Sequence, residues 1–172
     1  MSTSIHDSLF ARVIVFKHNK KKLIFVSCDI IGYYDDIYLY YQKKIIKKYK
    51  LDPSELFLTA TYTHSGPLLT VSDNVNESIN YKYTKELLNI LIELIQEAIE
   101  NMNPVEIGIG RGSSPVAVNR RLMNIYGYGW PDDGGLVKIG RNPNGIVDKE
   151  VLVLKIGYYS ANRQIYILSD YK

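Results

Sequence analysis

Hydrophobic and polar positions alternate with two different periods along the 172-residue chain, and the switches between them mark out its elements. Ala11-Arg12-Val13-Ile14-Val15-Phe16 is a short run of β-formers, and residues 22–31 are an almost unbroken apolar run. A polar connection holding His18 and Asn19 separates them, so the two read as a hairpin whose second strand is central. In residues 35–50 the apolar and aromatic side chains Ile37, Tyr40, Tyr41, Ile45 and Tyr49 recur at helical spacing between lysines. Leu51-Asp52-Pro53-Ser54 closes that helix, and residues 55–62 return to strand. Strand, helix, strand is a crossover unit, for which parallel pairing is expected.

Further on, residues 82–101 carry a broad apolar stripe through Leu87, Leu88, Leu91, Ile92 and Ile95, a second helix that must cover a sheet. Residues 104–110 predict another strand, and residues 151–158 and 164–168 a terminal hairpin. Between them lies a stretch rich in Gly, Asn, Asp, Tyr and Pro over residues 122–144, including Trp130-Pro131-Asp132-Asp133-Gly134-Gly135, of a length that suggests a functional or mobile loop. The resulting expectation is a single α/β domain over residues 1–172, with a mixed, largely parallel sheet covered by helices.

Composition narrows the function classes. The net charge of +3 is small and the lysines fall in short runs such as Lys20-Lys21-Lys22, which argues against a nucleic-acid partner. The one cysteine, Cys28, excludes an internal disulfide and reads as a buried, inert thiol. No apolar run reaches the ~20 residues of a membrane span, and the polar start lacks a signal-peptide core, so a cytoplasmic location is expected.

Candidate chemistry concentrates at Leu58-Thr59-Ala60-Thr61-Tyr62-Thr63-His64-Ser65-Gly66-Pro67, where a strand gives way to a loop. Period two would place Tyr62 and His64 on one face as a pair of potential ligands or proton carriers. Asp29 interrupts an apolar run at the end of the second strand and must lie at the strand mouth or hold a firm partner; it either lines a site or caps the next helix. Gly110-Arg111-Gly112 followed by Asn119-Arg120-Arg121 could hold a phosphate or carboxylate, although the Gly-x-Gly signal lacks the third glycine of a dinucleotide fingerprint.

The 58–67 stretch resembles the Thr-His-Thr-His-Ser-Gly-Pro segment of the neutral/alkaline, non-lysosomal ceramidases, which are zinc amidases. Ile5-His6-Asp7-Ser8-Leu9-Phe10-Ala11-Arg12 is similar to the family's Ile-His-Asp-Pro-Leu-Tyr-Ala-Arg segment, and 140–151 to the turn before a core strand in bacterial members. In the bland reading His6 and Asp7 only fix the turn into the sheet; the alternative is a role near the substrate. The resemblance implies the fold of part of a ceramidase N-terminal domain, incomplete at both ends. It further implies His64 and Arg120 as catalytic residues, Asp29, Ser65 and Gly66 beside the substrate, and Zn2+ as cofactor. Tyr62 stands where the family has its metal-binding His, and the family's other zinc ligands have no counterpart before Lys172. The expected function is therefore hydrolysis of the N-acyl bond of a lipid amide such as ceramide, with a missing C-terminal half completing the zinc site. The alternative is a non-catalytic relative that binds a ligand, and an anion binder built on residues 110–121 is a third reading.

Overall fold

The computed structural model describes residues 4–72, 78–123, 137–158 and 164–170. The loop expected around Trp130 and part of the polar loop after Leu68 lie outside the described residues. The chain divides into two compact units, Met1–Met102 and Asn103–Lys172.

In the first unit, β1 (Ala11–His18) and β2 (Lys21–Cys28) form the expected hairpin, paired antiparallel from Ala11 opposite Cys28 to His18 opposite Lys21. Only Asn19 and Lys20 join them, and Asn19 takes the left-handed conformation (φ 55) that Asn tolerates better than most residues. Helix α1 (Asp35–Tyr49) then carries the chain to β3 (Leu56–Ala60), which pairs parallel to β2. The order β1-β2-β3 makes β2 the central strand.

A short 3-10 turn, Pro53–Glu55, sets up β3. The Asp52 carboxylate accepts from the Ser54 amide at 3.1 Å while Glu55 accepts from the Asp52 amide at 2.9 Å, a reciprocal cap that fixes where the strand starts. Helix α2 (Ile79–Glu100) begins three residues before its apolar stripe suggested, because the Ser78 hydroxyl accepts from the Tyr81 amide at 3.1 Å.

The core of this unit follows from the two periods. Ile24, Val26 and Cys28 alternate onto one face of β2 and are at most 1% exposed. Ile37, Tyr41 and Ile45 from α1, with Leu87, Leu88, Leu91 and Ile95 from α2, close over them. Burial of each such side chain stabilises by roughly 1.5–3 kcal/mol. Within this layer one hydroxyl ties α1 to α2 and a second ties the preceding loop to α2. Tyr41 donates to the Thr84 carbonyl at 2.6 Å, and Thr84 in turn donates to the Asn80 carbonyl and accepts from the Thr70 amide at 2.9 Å.

The second unit is built on antiparallel pairs. Strand β4 (Val105–Ser113) pairs with β7 (Glu150–Tyr158), which also pairs with β8 (Gln164–Asp170), so the terminal hairpin is present. Strands β5 (Arg121–Met123) and β6 (Val137–Ile139) form a separate two-stranded ladder, β5 at the start of the segment read from sequence as one long loop and β6 within it.

The fold is thus mixed α/β, and the expectation of a largely parallel sheet is corrected: β2 with β3 is the only parallel pair among the described residues. A parallel neighbour requires a crossover, and only α1 provides one. Helix α2 would have been a second, but the strand that follows it joins a different sheet. No helix among the described residues is long and apolar enough to cross a membrane.

Candidate functional site

Parallel pairing gives β2 and β3 a common carboxyl edge, the position at which open α/β sheets place their ligands. The last paired residues there are Cys28 and Ala60, so Asp29 and Thr61 are the first residues beyond the sheet. Because β1 runs the opposite way, its start at Phe10 and Ala11 lies at the same edge.

Three hydrogen bonds and an ion pair tie this edge together through Asp29. Its amide donates to the Phe10 carbonyl at 2.8 Å, and one carboxylate oxygen accepts from the Phe10 amide at 2.9 Å. The other accepts from the Thr61 hydroxyl at 3.1 Å and lies 3.8 Å from the Arg12 guanidinium, which itself sits 4.9 Å over the Phe10 ring. Asp29 is therefore a clamp joining the approach to β1 with the exit from β3. It does not cap α1, whose N-cap residue Tyr34 makes no side-chain capping bond, so the capping alternative is set aside.

The strand stops at Ala60, shorter than residues 55–62 would have made it. Tyr62 adopts φ 64, a left-handed conformation that costs a bulky L-residue roughly 1–2 kcal/mol. The period-two argument for Tyr62 and His64 therefore fails, since neither is in the strand. The turn nevertheless brings the two rings into edge-to-face contact, with centroids 5.0 Å apart and planes at 84°. Tyr62 is 53% exposed and His64 is also exposed, so a phenol and an imidazole stand together in solvent at the edge.

Ser65 and Gly66 complete the turn. The Ser65 amide donates to the Thr63 hydroxyl at 3.3 Å. A Cβ on Gly66 would lie 3.2 Å from Leu9 and 3.5 Å from the Asp29 carbonyl, so glycine here permits the loop to close on Asp29. His6 and Asp7 contact one another at 2.9 Å with side chains 95% and 87% exposed.

A catalytic zinc site needs about three protein ligands and an open position. The edge offers the Tyr62 phenol and the His64 imidazole, while the Asp29 carboxylate is engaged by Phe10, Thr61 and Arg12. Among the described residues no three His, Cys, Asp or Glu side chains are grouped to hold a metal. The donors on the described residues therefore do not fit a catalytic zinc.

Behind the edge lies a pair that sequence reasoning missed. The Tyr33 hydroxyl donates to the Cys28 sulfur at 3.0 Å. Burial pushes the Cys28 thiol up from its ordinary value, against the lowering effect of the Tyr33 bond, and the nearby Asp29 charge adds to the rise. Tyr33 is raised far more strongly, again chiefly by burial. Cys28 is thus a buried neutral thiol, as its apolar strand suggested. Two aromatic residues in Tyr33-Tyr34 gave no periodic hint of which ring turns inward.

In the second unit, Gly110, Arg111 and Gly112 prove to be interior residues of β4, which corrects the reading of a glycine-rich turn. Arg111 pairs with Glu150 at 2.9 Å. Arg120 is exposed, and its carbonyl accepts from the Gly140 amide at 2.9 Å. The organiser of this segment is Asn119. Its side chain donates to the Ile146 carbonyl at 3.0 Å and accepts from the Arg121 amide at 2.9 Å, while its carbonyl accepts from the Asn142 amide at 2.8 Å.

Comparisons with protein-family models, with curated proteins and with solved structures gave no match for this chain. Its likeness to the ceramidases rests on its own residues alone.

Proposed function

We propose that the chain is a ceramidase-like amidohydrolase domain in which the carboxyl edge of β2 and β3 receives the N-acyl amide of a lipid such as ceramide. The observation that carries this reading is the contact of the Tyr62 and His64 rings, 5.0 Å apart, at the position where an α/β sheet presents its chemistry. His64 would exchange a proton with the amide nitrogen. Ser65 and Gly66 would line the approach, with Asp29 holding the turn in place. The proposal concerns the first unit alone. In the amidohydrolase reading Tyr62 stands at a zinc-ligand position, and the remaining donors would have to come from outside the described residues.

The donor set favours a second reading, in which the same edge binds a lipid amide without hydrolysing it. Elemental analysis of the purified protein and of Tyr62→His, paired with hydrolysis and binding assays on a short-chain fluorescent ceramide, separates the two. Stoichiometric zinc and turnover that His64→Ala abolishes support the amidohydrolase. Binding that His64→Ala weakens, without zinc or turnover in either protein, supports the ligand-binding relative. Absence of both turnover and binding overturns the two together.

A further inference from the structure

Away from the sheet edge, the first unit contains a cavity of about 460 Å³ between α1, the segment before residue 73 and the start of α2. That volume falls within the range of small-molecule sites. Its walls are apolar and aromatic: Leu39 and Tyr40 from α1, Val71 from the loop, and Tyr81 from α2.

The polar groups divide sharply between floor and rim. Thr84, at the floor, is fully buried and its hydroxyl is used by the Asn80 carbonyl and the Thr70 amide. It has no hydrogen-bonding capacity to spare as a donor, so recognition falls to the rim. There Lys43 and Lys85 oppose one carboxylate, Asp36, leaving the lining positive by one charge. The Lys85 ammonium is already placed 4.3 Å over the Tyr81 ring, which positions a cation against an aromatic wall.

We propose that this cavity binds a small aromatic monoanion, its ring between Tyr40 and Tyr81 and its carboxylate or sulfonate between Lys43 and Lys85. A neutral aromatic would fill the same walls but forgo both ammonium groups. A cation would meet two like charges for one opposite charge. The site is independent of the Tyr62 and His64 edge.

Calorimetric titration with 2-naphthoate and with its neutral counterpart 2-naphthamide tests the assignment. The unaltered protein is expected to bind the naphthoate about tenfold more tightly than the amide, the size of preference that two partly solvated charge contacts provide. Replacing both rim lysines (Lys43→Gln with Lys85→Gln) should remove that preference, bringing naphthoate binding down to the level of the amide. Leu39→Trp, at a position 60% exposed and so tolerant of substitution, should fill the cavity and abolish binding of both probes. Circular dichroism melts of each variant establish that the fold is kept. Equal affinity for the two probes, a preference that survives the double lysine replacement, no binding of naphthoate, or binding unaffected by Leu39→Trp in a folded variant would each overturn the proposal.

Discussion

The Thr61 hydroxyl donates to the Asp29 carboxylate across 3.1 Å, joining the residues that immediately follow two parallel strands. The same carboxylate takes the Phe10 amide at 2.9 Å, so its loss strands a backbone donor at the start of β1. Asp29→Ala is expected to lower stability by about 1–3 kcal/mol, and Thr61→Val by about 0.5–1.5 kcal/mol. Because the two share one bond, the double variant should cost less than the sum. Urea unfolding of the four proteins measures the coupling, and strict additivity would show that the bond contributes nothing.

Tyr62 makes a different prediction because its backbone works against it. At φ 64 a β-branched residue is worse than tyrosine and glycine carries no penalty. Tyr62→Val should destabilise by about 1–2 kcal/mol, whereas Tyr62→Gly should fall within about 1 kcal/mol of the unaltered protein despite losing the ring contact with His64. A glycine variant as unstable as the valine one would mean that the ring contact, and not the backbone, sets the cost.

How far these features could be read from sequence depends on whether their cause is local. Helix α2 was legible because Leu87, Leu88, Leu91 and Ile95 repeat on one stripe, and β2 because a central strand between two neighbours needs few polar residues. The end of β3 was not, since the left-handed turn at Tyr62 has no glycine or asparagine to announce it. Gly110 and Gly112 misled for the opposite reason: a residue type that signals turns sits inside a strand, where a Cβ on Gly112 would meet nothing within 4 Å. Within the site, the Asp29 to Phe10 and Tyr33 to Cys28 contacts were invisible because side-chain partners across a sheet edge leave no spacing in the chain.

The buried thiol and phenols carry a pH dependence whose sign follows from their direction of shift. Cys28 is raised above its ordinary 9.0, and Tyr33 and Tyr41 above their ordinary 10.0, all chiefly by burial. Well below pH 9 each is protonated in both folded and unfolded chains and contributes no slope. Above it the unfolded chain loses protons that the folded chain keeps, so stability should fall as pH rises through 9 and more steeply past 10. Cys28→Val should flatten the first part of that fall. Urea midpoints measured between pH 7 and 10.5 decide this, and a midpoint that holds steady to pH 10.5 would contradict it. Iodoacetamide should correspondingly label Cys28 only as fast as the first unit opens.

The last prediction concerns Gly145 and Asn119, which lie 26 positions apart and pack so closely that a Cβ on Gly145 would overlap the Asn119 side chain. Asn119 cannot give way without releasing the Ile146 carbonyl and the Arg121 amide, the bonds that hold residues 119–121 against residues 140–146. Gly145→Ala should therefore destabilise the second unit by about 1–3 kcal/mol, the usual cost of forcing a side chain into occupied space. Asn119→Ala should cost about 1–2 kcal/mol by itself through the lost bonds. Combined, the two alanines fit the space that one alanine and one asparagine cannot share, so the double variant should be more stable than the sum of the single losses predicts. Amide exchange at Gly140 and Asn142, whose N–H groups donate to Arg120 and Asn119, reports this locally. Exchange there that is no faster in Gly145→Ala than in the unaltered protein would show that the loop accommodates the methyl group and that close approach to Asn119 is not what requires glycine.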